Sequence, residues 1–385
     1  ESSVYSVSVT TSYVNPTASI TSTSQTFNSI TVNAKGTAGS KTIAKYMYSK
    51  DGGSTWVTEM TTATTSSHTF TGLSSSTSYS IRVKVVDSGN RESTVVSKSV
   101  ITSSSIFASY IKSLYISQGL DGIYYHTSSL ENGAGDNSYR YAGANPNNYV
   151  CFGSTATTCP NKNLYRIIGV FGEQVKLIHA TSATTAEIGT AAHFKNNNFY
   201  WSGSKSNASN NWRNSTLNTS SLNGTFLTNL GTTWTSKIAT TTWYVGGGSS
   251  DNLMHSNAKT AYNYEVGANK SSTTYNAKIG LPYVSEYYYA ATPTYWIYPG
   301  YTSSIHEKDY GAAIRSNWMY IEDSYWSITR SLEDSDHVLH IAYVGEVLRS
   351  DATQIDSVRP TFNLVSSVKL SGGSGTQSDP YRIEI

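Results

Sequence analysis

The stretch Leu73-Ser-Ser-Ser-Thr-Ser-Tyr79, running on into Ser80-Ile-Arg-Val-Lys-Val-Val-Asp87, decides the fold of the first hundred residues. Ile81, Val83 and Val85 alternate with Arg82 and Lys84, the period of two that a half-buried strand requires. Upstream, Tyr46 and Tyr48 share one strand face. Asp51-Gly52-Gly53 then closes a hairpin, because Gly accepts the positive φ of a tight turn. Short strands are expected at 30–32, 44–50, 56–59, 68–70, 79–86 and 95–101. Their spacing predicts a two-sheet sandwich of about 100 residues.

Outward from there, 101–105 (ITSSS) reads as a linker, small, polar and without periodicity. Ile106, Phe107, Tyr110, Ile111, Leu114 and Tyr115 then form a helical stripe. Beyond 119 the chain is loop-rich and aromatic. Strands are expected at 165–169, 174–179, 326–329, 338–344, 360–364 and 381–385, with a short helix at 220–230. The division expected is 1–103 and 104–385.

Only 14% of the 385 residues are charged, while Tyr accounts for 30 and Met for 4; soluble domains average roughly 25% charge. A surface solvated by hydroxyls and amides is expected of an extracellular β protein. With 27 basic and 25 acidic residues there is no field to attract nucleic acid. No run of 18 apolar residues exists to span a membrane. The most apolar stretch, 164–178, is broken by Arg166, Gly169, Gly172, Glu173 and Lys176. The opening ESSVYSVSV lacks the basic and apolar regions of a signal peptide, as expected of a mature or trimmed form. Cys151 and Cys159 fit no metal pattern and read as a short-loop disulfide, with two free thiols as the alternative. A disulfide fits an oxidising location.

Leu73, Tyr79 and the strand after them resemble the corner between the fifth and sixth strands of a fibronectin type III domain, across about residues 5–101. There a Leu packs inward and the Tyr six residues on makes the tyrosine corner. Trp56 resembles that family's buried aromatic. The resemblance implies a spacer or display module. The strings NSYRYAGANPNNYVCFGS, NLYRIIGVFGEQVKLI, AKIGLPYVSEYYYAATPTYW and NWMYIEDSYWSITRS resemble a surface domain common in gut Firmicutes. The C-terminal part is similar to the C-type-lectin fold of the formylglycine-generating-enzyme subtype. Trp326-Ser-Ile-Thr-Arg330 and Val358-Arg359-Pro360 stand where that subtype has W-x-x-x-R and G-x-R-P, although Ser357 replaces the usual Gly. This implies an α+β, C-type-lectin-like second domain. The same fold carries the variable proteins of diversity-generating retroelements, whose hypervariable C-terminal stretch faces ligand.

Such diversification favours residues encoded by NNY codons. Between Ser331 and Ser357 only Glu333, Glu346 and Gln354 fall outside that set. The variable segment is therefore placed at 313–362. Treated as a strand pair turning at Gly345-Glu346, it puts His337, Leu339, Ile341 and Tyr343 on one face, taken as exposed. Asp334, Asp336, Leu348, Arg349, Asp351, Ile355 and Asp356 lie nearby. Leu, Ile and Tyr flanked by Asp and Arg would make a ligand surface for a protein or glycan on another cell or a host. The alternative is that Leu339 and Ile341 pack in the core.

Other chemistries are disfavoured. His337 and His340, three apart on a strand, point to opposite faces and make a poor metal pair. No Cys follows Cys159, so formylglycine generation is not carried over with the fold. Glu286, Glu322 and Asp323 show no pairing motif for glycoside hydrolysis. No G-x-S-x-G is present, and 246–250 (GGGSS) lacks the Lys of a phosphate loop. The aromatic run 282–301 could stack on sugars, but framework packing is the preferred reading. No Glu-Pro-Asn motif suggests calcium. No cofactor is expected. The function expected is non-enzymatic ligand binding at a bacterial cell surface or on a phage virion. A pilus-like or wall subunit and a polysaccharide-active enzyme are the alternatives. The chain has no LPxTG sorting signal.

Overall fold

The computed structural model describes residues 12–206, 208–298 and 307–385, with side chains throughout except at 121 and 307–310. The opening ESSVYSVSV and the end of the 282–301 run lie outside the described residues. The chain divides into two compact units, Glu1–Ser105 and Ile106–Ile385.

The first unit has strands β1 (Thr17–Gln25), β2 (Ile30–Thr37), β3 (Ile43–Ser49), β4 (Val57–Glu59), β5 (Thr65–Phe70), β6 (Ser78–Asp87) and β7 (Val96–Ile101). They form two sheets, in the orders β1-β2-β5 and β4-β3-β6-β7. Ile30 and Val32 of one sheet meet Tyr46, Tyr48, Ile81, Val83 and Val85 of the other in a single core. This is the expected β-sandwich. The Tyr79 hydroxyl accepts a hydrogen bond from the Ser74 N–H at 2.9 Å, above the buried Leu73. That bond pins the corner before β6. Trp56 is not the buried aromatic: it is only half-buried, with the Lys84 ammonium 4.8 Å over its ring. The fully buried Tyr46 and Tyr48 fill that role.

The second unit is α+β. Helix α1 (Phe107–Leu114) precedes β8 (Ile123–Tyr125), β9 (Tyr139–Tyr141), β10 (Tyr149–Cys151), β11 (Leu164–Phe171) and β12 (Gln174–His179). The central antiparallel sheet runs Ile279–Gly280, Thr361–Asn363, β12, β11, β9, β8, with β10 also paired to β11. From Leu164 to Val170, β11 is buried without a break, as expected of a strand covered on both faces. Cys151 and Cys159 form a disulfide with Cα atoms 5.8 Å apart. The helix expected at 220–230 is a π-helix, Leu217–Phe226, running into an α-helix, Leu227–Thr235. A second sheet contains Tyr325–Arg330, His337–Ile341 and Val347–Asp351, in that order. No helix among the described residues is long and apolar enough to cross a membrane.

Replacing Tyr79→Phe removes the corner hydrogen bond and little else. The sandwich should lose about 1 kcal/mol in urea unfolding. Unchanged stability would show that the corner is held by Leu73 packing alone.

Candidate binding surface

The loop between Tyr325–Arg330 and His337–Ile341 is fastened by its main chain. The side-chain amide of buried Asn210 reaches the carbonyls of Ser331, Asp334 and His337 at 3.1, 2.8 and 2.9 Å. The Leu332 N–H donates to the Gly248 carbonyl at 3.0 Å, and the Asn210 N–H to the Ser335 carbonyl at 2.8 Å. Gly247 explains the glycine run there. It has φ 68°, and a Cβ on it would lie 1.9 Å from the Arg330 carbonyl oxygen. The run serves close backbone approach. Side chains then decorate the fixed loop. Arg349 spans Glu333 and Asp334 at 2.6 and 2.8 Å, and His337 meets Asp336 at 2.7 Å. Hydrogen bonds from the Ser250 hydroxyl and amide, aided by Arg349, hold Glu333 below the usual carboxylate range. Carboxylate and imidazole atoms of Asp334, Asp336 and His337 lie within 4.8 Å of one another. Leu332 is 55% exposed and Tyr343 66%.

The structure brings Asp334, Asp336, His337 and Arg349 together as a partly exposed patch. Asp351 stands opposite His337 in the register, its carboxylate accepting from the Thr353 amide and hydroxyl at 2.7 Å. The expected exposed face is corrected at two positions: Leu339 and Ile341 are fully buried, at 1% and 0% exposure. Alternation separates exposed from buried residues only in a sheet with one open side, and the middle strand of this sheet is covered on both at Val338, Leu339 and Ile341. The Tyr287 hydroxyl reaches the Gly345 carbonyl at 2.9 Å. The indoles of Trp201 and Trp326 bond the carbonyls of Ser327 and Phe199. Tyr343 is not on the strand either. Gly345 (φ 84°) donates to the Ala342 carbonyl at 2.7 Å, which puts Tyr343 and Val344 at the centre of the turn, two residues earlier than expected. Asp356 is withdrawn from the patch. Its half-buried carboxylate meets His340 at 2.6 Å, and Ile355 and Asp356 pair with Asn198–Tyr200 in a separate small sheet. Leu348 and Ile355 are half-buried. His337 and His340 are thus committed to different carboxylates.

Sequence reasoning missed a second constellation. Lys176 of β12 meets Glu286 at 2.5 Å, and Arg140 of β9 meets Asp136 at 2.6 Å. Lys176, Arg140 and Glu286 are each at most 5% exposed. The Lys176 ammonium also lies 4.8 Å from the ring centres of Trp243 and Tyr283. These groups line one cavity of about 260 Å³. The signal was present in the sequence: Lys176 interrupts the most apolar stretch of the chain. A charge in a strand covered on both faces must find a partner.

No family model matches the chain, and no curated protein matches it. Solved structures similar to parts of it include the sulfane dehydrogenase SoxCD from Paracoccus pantotrophus (16% identity, 20% of this chain, TM-score 0.18). The chain spans 23% of that protein's length. Two others are similar to about a quarter of the chain. One is the PKD domain of a peptidase from a Thermoplasmatales archaeon (14% identity, 24% of this chain and 95% of that one, TM-score 0.20). The other is the fibronectin type-III domain of human fibronectin type III domain containing protein 3 (16% identity, 25% and 94%, TM-score 0.17).

Burial pushes the Asp136 carboxyl up, but the Arg140 guanidinium and hydrogen bonds from Ser138 outweigh it and draw it from 3.8 to about 2. The folded value lies below the unfolded one. The stabilisation, about 2 kcal/mol, is therefore fully present above about pH 4 and is lost as pH falls towards 2. Denaturation curves across that range should show the loss in the native chain. Asp136→Asn should be less stable at neutral pH, with a flatter acid limb. An equally steep limb in the variant would contradict the assignment.

Proposed function

We propose that this chain is an extracellular, non-enzymatic binding protein, carried on a bacterial cell surface or a phage virion. Its sandwich serves as a spacer and its second unit as a C-type-lectin-like display domain. On this reading the ligand surface comprises Leu332, Asp334, Asp336, His337, Tyr343, Arg349 and Asp351. The observation that carries it is how the 331–337 loop is held. Asn210 and Gly248 grip its carbonyls and amides, so the loop's own side chains can change without loosening the framework. A fixed main chain with replaceable side chains is what a diversified surface needs. The near-absence of residues outside the NNY set between 331 and 357 supports the same reading, as does its resemblance to the variable proteins of diversity-generating retroelements. Ligand selection then rests on shape and on a few side chains, the partner being a protein or glycan of another cell or host.

The test is binding of the full chain to protein and glycan arrays, repeated with Tyr343→Ala and Arg349→Ala. Both positions are exposed, so melting curves should not move. Affinity for the array ligand should fall about tenfold or more in at least one variant. Unchanged affinity in both would remove the surface from consideration. An invariant 331–357 segment across related genomes would overturn the diversified part.

A further inference from the structure

The cavity around Lys176 shares no residue with the 331–337 loop, and its chemistry points to a ligand of its own. Its lining has three components. Aromatic walls come from Phe171, Trp243, Tyr244, Tyr262 and Tyr283. Neutral hydrogen-bonding groups come from Gln174, Thr241, Thr242 and Asn363. The third component is the two ion pairs, Lys176–Glu286 and Arg140–Asp136.

The pairing decides what kind of ligand fits. Two cations and two carboxylates sum to zero, and each charge already has its partner within hydrogen-bonding distance. An anion would be opposed by Glu286 and Asp136, and a cation by Lys176 and Arg140. What remains is a neutral molecule with many hydroxyls. Paired ions are strong donors and acceptors to such groups, and aromatic walls accept the C–H face of a ring. At about 260 Å³ the cavity lies just under the roughly 300 Å³ at which drug-sized pockets begin, which leaves room for one ring. Thr242 is exposed, while Tyr244, Tyr262 and Gln174 are half-buried, so the cavity has a mouth.

We propose that this cavity binds a single neutral pyranose residue, either as a free sugar or as the end of a glycan chain. The ring lies among Trp243, Tyr244 and Tyr262, and its hydroxyls meet Gln174 and the Lys176–Glu286 pair. This site is independent of the 331–357 surface, and either can fail without the other.

The experiment uses the full chain with glucose, galactose, mannose and N-acetylglucosamine. Tryptophan fluorescence and saturation-transfer NMR are the readouts, and glucuronate and glucosamine are the charged comparators. At least one neutral sugar should bind saturably, with both charged analogues about tenfold weaker. Tyr244→Ala and Gln174→Ala lie at the mouth and should keep their melting curves. The Tyr244 variant should lose about tenfold in affinity, whereas Tyr343→Ala should bind sugar as the native chain does. Methyl glycosides separate the two sources: equal binding marks a glycan end, and loss marks a free sugar. Absence of binding by every neutral sugar, tighter binding of a charged analogue, or full affinity in the Tyr244 variant would overturn the proposal.

Discussion

The second unit hangs on a buried guanidinium. Arg359 has no exposed surface. Its Nε donates to the His179 carbonyl at 3.0 Å, Nη1 to the Met319 carbonyl at 2.7 Å and Nη2 to the Ala180 carbonyl at 3.3 Å. The Tyr325 ring lies 4.9 Å from its centre. No carboxylate takes part among these contacts. Burial pushes its pKa down, opposed by Tyr325. Three points of the chain are tied at once: the end of β12, the turn before Tyr325–Arg330, and the entry to Thr361–Asn363. Only a planar fork of donors spans such an arrangement, which a lysine could not do. Arg166 repeats the device. It bonds Asn148, Trp318 and Pro146 and lies between the rings of Tyr149 and Trp318, with burial drawing its pKa down to about 10.

From that clamp the sheet of Tyr325–Arg330 projects the loop at 331–337. The low overall charge takes on a meaning here. Two sets of ionic groups stand apart from the charges scattered over the surface. Arg140, Arg166, Lys176, Glu265, Glu286 and Arg359 are buried as framework or cavity lining. Glu333, Asp334, Asp336 and Arg349 gather on the loop and the strand beside it. A charge change in the first group would disturb folding, whereas the second group is partly exposed and contributes less to the core.

The sandwich was legible because its strands alternate cleanly. β3 and β6 fall within a residue or two of the positions their periodicity indicated. β1 was not legible: TASITSTSQ offers only Ala18 and Ile20 as apolar residues, and hydroxyl-rich edge strands carry little pattern. In the second unit β11 and β12 show as apolar runs, but periodicity does not reveal that Arg166 is a framework clamp and Lys176 part of the cavity's chemistry. Of the residues expected on one exposed face, His337 and Tyr343 reach the surface, whereas Leu339 and Ile341 are buried. Strict alternation sorts residues into two faces, and nothing in 337–343 reveals that Tyr287 and Trp201, from elsewhere in the chain, pack onto this sheet and bond its main chain. Asn210 was hidden in an asparagine-rich connection, where its composition suggested only a loop.

The backbone contacts make the 331–337 loop a rigid part of the framework. Native-state hydrogen exchange of the Ser331 and Leu332 amides, which donate to His337 and Gly248, tests this directly. Protection comparable to that of β11 and β12, lost in an Asn210→Ala chain that otherwise remains folded, is the predicted result. Exchange of those amides at the rate of an open loop in the native chain would contradict it.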